Sequence, residues 1–278
     1  MKIKARLVIF TLLLTLFAIP VSAQTEGDYH PFLSDKFNLA LGGYWPKNDF
    51  TIQVDGIDPG EEIDLDEKLN LSDYVSSGFL NFRWRFGEKW SLVGQYWSTS
   101  ASGKKELKED VQWGDVTFKE GTYVKGGVGM DVARVFVGRE FFTTAPKHQF
   151  GAGFGLHWMN LDTFLEGNVI TEDNELGFER VSASAAFPLP NIGAWYMYSW
   201  SPKWMLSAHA DWLSASICDY SGYLLDVQAG VNWQAFKNIG FGLHVKGYSL
   251  DVDIDKGNWQ GNADFDQLGP MFTVTATW

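Results

Sequence analysis

The chain is nearly devoid of cysteine. Cys218 stands alone among 278 residues, which rules out an intrachain disulfide framework. Long apolar runs are also missing. After residue 23 no stretch reaches the roughly 20 consecutive apolar residues of a membrane-spanning helix. If the mature chain enters a membrane it does so as a closed barrel, the other architecture that satisfies every backbone group. Basic residues are few, with 22 Lys and Arg against 34 Asp and Glu, so nucleic acid is not an expected partner. Gly126-Gly127-Val128-Gly129 lacks a following Lys-Ser/Thr and a helix, and is not a nucleotide loop. Glycines there relieve crowding.

What is present begins with a processing segment. Lys2, Lys4 and Arg6 precede an apolar stretch from Leu7 to Ile19, and Val21-Ser22-Ala23 has the small residues of a cleavage site. This pattern is expected of a signal peptide over 1–23, with a single domain over 24–278. Position 24 is Gln, so no lipoprotein anchor is expected. Removing Lys2, Lys4 and Arg6 leaves 19 basic against 34 acidic residues, a net charge of −15.

Turns then recur along the chain, each flanked by aromatics. Phe86 and Trp90 bracket Gly87-Glu88-Lys89, and Phe142 and Phe150 bracket 143–149. Trp200 and Trp204 bracket Ser201-Pro202-Lys203, and Phe236 and Phe241 bracket 237–240. Between them lie longer acidic or Gly-rich stretches at 46–73, 103–121, 166–178, 214–223 and 254–265. Short turns at one end and long loops at the other give about ten strands (range 8–12), with both termini on the short-turn side. Phe37 and Trp45, Phe150 and Trp158, and Trp204 and Trp212 are spaced alike. Each pair spans a rise of about 20 Å on a tilted strand, near the ~25 Å apolar band of a membrane barrel.

Period-two alternation marks the faces. In Leu224–Phe236, Leu225, Val227, Ala229, Val231 and Trp233 share one face; Asp226, Gln228, Gly230, Asn232 and Gln234 share the other. In the last stretch Leu268, Pro270, Phe272, Val274, Ala276 and Trp278 are set against Gln267, Gly269, Met271, Thr273, Thr275 and Thr277. Apolar outside and polar inside is the inverse of a soluble barrel. The alternation, with its terminal Trp278, resembles the closing strand of bacterial outer-membrane β-barrel proteins. That resemblance implies an all-β, transmembrane, antiparallel up-and-down barrel with periplasmic termini. It implies outer-membrane lipids and lipopolysaccharide as surroundings, and recognition of the C-terminal strand by the barrel-assembly machinery. The aromatic girdle it implies comprises Phe37, Trp45, Phe86, Trp90, Phe142, Phe150, Trp158, Trp200, Trp204, Trp212, Phe236, Phe241 and Trp278.

Two stretches depart from simple alternation. Phe241, Leu243 and Val245 have the opposite parity from Tyr248, Leu250, Val252 and Ile254, so the phase shifts near Gly247, which marks either a bulge or the point where the strand leaves the membrane. Pro188 and Pro190 remove ladder donors, so a bulge or kink is expected there.

The inward set carries the candidate chemistry: Arg83, Arg85, Arg134, Glu140, His157, His209, Asp211, Asp226, His244 and Lys246. Arg83, Arg85 and Glu140 fall low, near the short turns, and Arg134, His157, Asp211 and Asp226 higher, so in so narrow a lumen opposite charges are expected to pair across it at both levels and fill it. The other reading is a narrow polar path for a small solute. His209-Ala-Asp211 puts an imidazole and a carboxylate on one face and, with His157 and His244, is the starting point for a hydrolase or metal-site alternative. Omptin-type proteases carry Asp-x-His, the reverse order, and no histidine here is followed two residues later by the serine of outer-membrane lipid hydrolases. No catalytic residue, cofactor or metal is assigned. Asp251-Val-Asp253-Ile-Asp255 and Glu62, Asp64, Asp66 fit solvated strand extensions, with loose divalent-cation bridging to lipopolysaccharide as their remaining use. The leading expectation is an outer-membrane barrel with a small or closed lumen and a structural, surface-interaction or limited solute-passage role. An embedded hydrolase and a secreted soluble β-protein are the alternatives.

The parity of the last strand makes a direct prediction. Phe272→Lys puts a charge on the lipid face and should cost roughly 2–4 kcal/mol near the midplane. Thr273→Lys, on the inner face, should be milder. Heat-modifiable mobility of the folded barrel on gels checks this, and equal effects would reverse the faces.

Overall fold

A computed structural model describes residues 28–55, 62–65, 68, 75–141, 147–170, 176–217, 220–256 and 259–278. The described residues are almost wholly strand, with a short 3-10 turn at Pro31–Leu33. In chain order the strands are β1 (Phe37–Tyr44), β2 (Lys47–Gln53), β3 (Glu62–Asp64), β4 (Ser77–Phe86), β5 (Trp90–Glu106), β6 (Val111–Trp113), β7 (Val116–Phe118), β8 (Tyr123–Phe141), β9 (His148–Ile170), β10 (Leu176–Ser201), β11 (Trp204–Ile217), β12 (Tyr220–Gln234), β13 (Ile239–Lys256) and β14 (Trp259–Thr277).

Ten of them close a ring in the order β1-β4-β5-β8-β9-β10-β11-β12-β13-β14. Every pairing is antiparallel. The seam joins first strand to last, from Asn38↔Thr277 to Tyr44↔Met271. Phe37 and Trp278 exchange backbone hydrogen bonds of 2.9 and 3.1 Å at its lower end. No edge is left in the lower half, so every ladder group there has a partner. The polypeptide enters from the end that carries the short turns and leaves at the same end.

In that lower half the alternation reads as the sequence does. Leu41, Leu80, Trp84, Val135, Phe154, Ile192, Leu243, Phe272 and Val274 are exposed on the outer wall. Asn38, Arg83, Gln95, Arg134, Asp211, Asp226, Thr273 and Thr275 are buried inside.

The upper half is different. β10 pairs with β11 only from Ile192↔Trp212 to Ser201↔Trp204, and β4 begins at Ser77 opposite Tyr44. Above these points the wall parts on two sides. One sheet continues as β5-β8-β9-β10, and the other as β11-β12-β13-β14-β2-β3. They face each other across one apolar cluster. Trp97, Val128, Met130, Leu161, Leu165, Ala183, Ala185, Phe187 and Leu189 come from the first sheet, and Phe50, Ile52, Ile63, Leu224, Leu250, Val252, Ile254, Ala263 and Phe265 from the second. The β6–β7 hairpin adds Trp113 and Phe118 to the same cluster. Outward positions there are mostly polar or charged, with Tyr123 and Phe178 exposed among them. Lys125 and Arg180 both bond Glu166, at 3.1 and 2.7 Å, and Asn262 bonds Asp251 at 3.0 Å.

This inversion decides one expectation and corrects two. The parity change near Gly247 is not a bulge; it marks where the strand passes out of the apolar band. β13 keeps an unbroken register with β12 and β14, and its even residues point inward throughout. The surroundings change, not the strand: Leu243 faces outward from the lower wall, whereas Leu250 turns into the upper core. Nor do Pro188 and Pro190 make a bulge. They pair in register with Trp158 and Leu156, and they lie above the last β10–β11 pair, where a missing donor breaks no bond on the β11 side. The one irregularity of β10 is a register shift between Ser199 and Ser201. Finally, the long stretches are mostly strand rather than loop. β9 runs to Ile170, β12 starts at Tyr220 and β13 runs to Lys256.

The acidic outer face generates a pH prediction. Partial burial, and then Asp266, Asp251, Asp49 and Glu62, raise the Asp264 carboxyl from its ordinary value to about 6. A carboxyl with a raised folded-state value favours folding fully below its unfolded value, and that contribution is lost as pH rises through 6. Asp264→Asn should therefore unfold at higher temperature than the parent at pH 8, and the gap should close by pH 4, as followed by tryptophan fluorescence.

Candidate functional site

From the short-turn end upward, the barrel interior is stacked in layers. The floor is the turn of residues 30–34. The His30 backbone N–H donates to Ser199 Oγ at 2.8 Å, and the Phe32 N–H donates to His30 Nδ1 at 3.2 Å. Phe32 and Leu33 pack on Met205, and Arg85 bonds the Leu33 carbonyl oxygen. Burial lowers the His30 imidazole to about 4, so it is neutral at physiological pH.

Above the floor lies a cavity of about 110 Å³. Phe79, Val93, Phe136, Trp195 and Met197 give it an apolar wall, and Asn81, Arg83, Ser91, Gln95 and Asn232 a polar one. Trp195 fits there because its neighbours lack side chains. A Cβ on Gly138 or Gly151 would stand 2.4 or 2.1 Å from its ring.

The next layer is ionic. Arg134 on β8 reaches across to Asp211 on β11 and binds both carboxylate oxygens, NH2 donating to Oδ1 at 2.9 Å. Gly193 makes room for that carboxylate, since a Cβ there would stand 2.0 Å from Asp211 Oδ1. Lys246 bonds Asp226 from the adjacent strand. His157 sits between the two carboxylates, its Nε2 at 3.9 Å from Asp211 and 3.6 Å from Asp226. His209 Nε2 is 3.8 Å from Asp226, and His244 Nδ1 lies 3.2 Å from Gln228 Nε2. Lower down, Glu140 is 3.3 Å from Arg85 and 3.9 Å from Arg83. A roof of Tyr44, Trp97 and Tyr248 covers the ions. Its ring centroids are 6.1 and 5.0 Å apart, and Lys246 Nζ lies 5.4 Å from the Trp97 centroid. The apolar core begins above it.

All ten inward residues named from the sequence thus lie inside the ring, in two groups. Arg83, Arg85 and Glu140 are below, and Arg134, His157, His209, Asp211, Asp226, His244 and Lys246 are higher. The arrangement offers little chemistry. Both upper carboxylates are held by cations. Ser207, two residues before His209 on the same face, receives a hydrogen bond from Asn232 at 2.9 Å. Among the described residues no group of His, Cys, Asp or Glu is arranged to hold a metal ion.

Of the aromatics, Phe37, Phe86, Trp90, Phe150, Trp200, Trp204, Phe236, Phe241 and Trp278 lie towards the short-turn end, and Trp45, Trp158 and Trp212 are exposed at the upper ends of their ring strands or just beyond. Phe142 lies outside the described residues. The lower rings touch in series: Trp200, Trp204, Trp233, Phe241 and Phe272 have successive centroids 5.9–6.3 Å apart. Sequence reading missed Trp97, Phe136 and Trp195, which point inward. The one available signal for Trp195 was the set of inward glycines on β9.

No protein-family model matches the chain, and no curated protein matches it. Solved structures align at low identity. The transport unit of the autotransporter AIDA-I from Escherichia coli aligns at 8% identity over 99% of this chain and 98% of that one, TM-score 0.39. The toluene transporter TodX of Pseudomonas putida aligns at 8% over 89% and 91%, TM-score 0.36. Ail, the attachment invasion locus protein of Yersinia pestis, aligns at 8% over 86% and 99%, TM-score 0.35. At these scores the alignments add nothing to what the strand pairing establishes.

The ionic layer predicts its own energetics. Arg134→Ala or Lys246→Met strands a buried carboxylate and should destabilise the barrel by about 3–5 kcal/mol. Lys246→Met combined with Asp226→Leu removes both charges and should recover most of the loss. Urea unfolding in detergent micelles measures both.

Proposed function

We propose that the chain is a bacterial outer-membrane β-barrel, closed to solute flow, that holds a β-sandwich above the membrane surface for contact with extracellular material. The observation that supports this reading is the filled bore. An ion-paired layer is capped by aromatic rings, and those by an apolar core joining both upper sheets. Water and ions cross neither an apolar core nor paired charges without breaking them.

The remaining features fit the same reading. An apolar outer wall edged by aromatic rings suits a bilayer, and the polar upper faces suit water. Residues 1–23 act as the export signal, and the β14 strand ending at Trp278 as the segment read by the assembly machinery. The acidic outer strands meet lipopolysaccharide through divalent cations. A non-catalytic role fits the same reading, since Asp211 and Asp226 are held by Arg134 and Lys246.

Reconstituted into planar bilayers, the mature chain should show no steady conductance, and cell fractionation should recover it in the outer membrane. A stable conductance of general-porin size would overturn the sealed bore. Recovery as a soluble protein would overturn the membrane assignment.

A further inference from the structure

The lower cavity carries a charge that the protein does not neutralise. Among the described residues the bore holds four cations, Arg83, Arg85, Arg134 and Lys246, against three carboxylates, Glu140, Asp211 and Asp226. Arg134 and Lys246 are matched one to one above. Below, Glu140 serves two guanidiniums, and it lies nearer Arg85, at 3.3 Å, than Arg83, at 3.9 Å. Arg83 is therefore the surplus cation. Its side chain is 5% exposed. Its Nε and NH2 have no hydrogen-bond acceptor in the protein, and its NH1 reaches only the Met197 sulfur, at 3.4 Å, a weak acceptor. Its other neighbour is the Phe32 ring, 5.1 Å from the guanidinium carbon.

A buried guanidinium without an oxygen acceptor is costly. Its planar fork matches a carboxylate in two parallel hydrogen bonds. Arg83 lines the cavity, and so do Ser91 and Gln95, whose Oγ and Oε1 also lack partners. Phe32, Phe79, Phe136 and Met197 line the rest with apolar surface. The volume, about 110 Å³, is somewhat less than the ~150 Å³ engineered cavity that takes up benzene. We infer that this cavity is a binding site for a small aliphatic monocarboxylate, its carboxylate on Arg83 and its short chain against Phe32, Phe136 and Met197. A long acyl chain does not fit. Phe32 is part of the floor, so the ligand is admitted from the short-turn end as the turn of residues 30–34 lifts. The site goes beyond the sealed-bore reading, and Arg134, His209, Asp211 and His244 of the ionic layer line its upper end.

Calorimetric titration of the full mature chain in detergent micelles tests the site, with acetate, butyrate and the uncharged 1-butanol as probes. Saturable one-to-one binding of at least one carboxylate is expected, at least tenfold tighter than 1-butanol. Arg83→Gln should weaken it at least tenfold. Glu140→Gln, which removes the competing anion, should tighten it, and this variant decides the matter if Arg83→Gln does not fold. The inference is overturned if neither carboxylate saturates, if the alcohol binds as well, if folded Arg83→Gln binds unchanged, or if Glu140→Gln fails to strengthen binding. Conductance measured on the same preparation judges the sealed bore separately.

Discussion

A strand surrounded by hydrocarbon has nowhere to send its N–H and C=O groups except another strand. The seam between β1 and β14 answers that constraint, and the rest of the lower half follows from it. Closing ten strands fixes a bore scarcely wider than the side chains that line it. In so small a space a charge either has a partner to itself or shares one. Asp211 and Asp226 have the first, held by Arg134 and Lys246. Arg83 shares the Glu140 carboxylate with Arg85, at 3.9 Å and without a hydrogen bond, and otherwise meets a sulfur atom and a phenyl ring.

The same strands obey a second solvent above the ring. Once the wall leaves hydrocarbon, an exposed leucine is no longer favoured and an exposed aspartate is. β13 meets both demands without a break: Leu243 faces outward below, and Leu250, seven residues on and of opposite parity, turns inward above. The wall parts where the inner face becomes apolar enough to pack on itself, and the bore becomes the interior of a sandwich.

The sequence was most legible where one environment acted alone. The alternation ending at Trp278 is reproduced position by position in burial, and counting four short turns against five long stretches led to the ring of ten. Legibility failed where environment and backbone were confounded. A parity change in apolar residues looks the same whether the strand slips or its solvent changes, so at Gly247 a bulge and an exit from the membrane stood as equal readings until the register chose the second. Pro188 and Pro190 were misread for a related reason, since a proline disrupts a ladder only on an edge that has a ladder. The inward histidines and charges were readable one by one. Their two levels were readable as well, but which cation takes which carboxylate was not, because Arg134–Asp211 and Arg85–Glu140 join strands that are not neighbours in the sheet. Trp195 was hidden too, because the space it fills is created by glycines on two other strands.

The way β2 is attached sets the timing of assembly. β2 continues the line of β1 along β14, from Lys47↔Leu268 to Ile52↔Ala263, and its other described neighbour is the three-residue β3. A segment near the start of the chain thus waits for the last strand to supply its partner, while Phe50 and Ile52 stay unburied. The sandwich is completed by the same event that closes the barrel, so a chain stalled before its final strand lacks both the seam and a finished outer half.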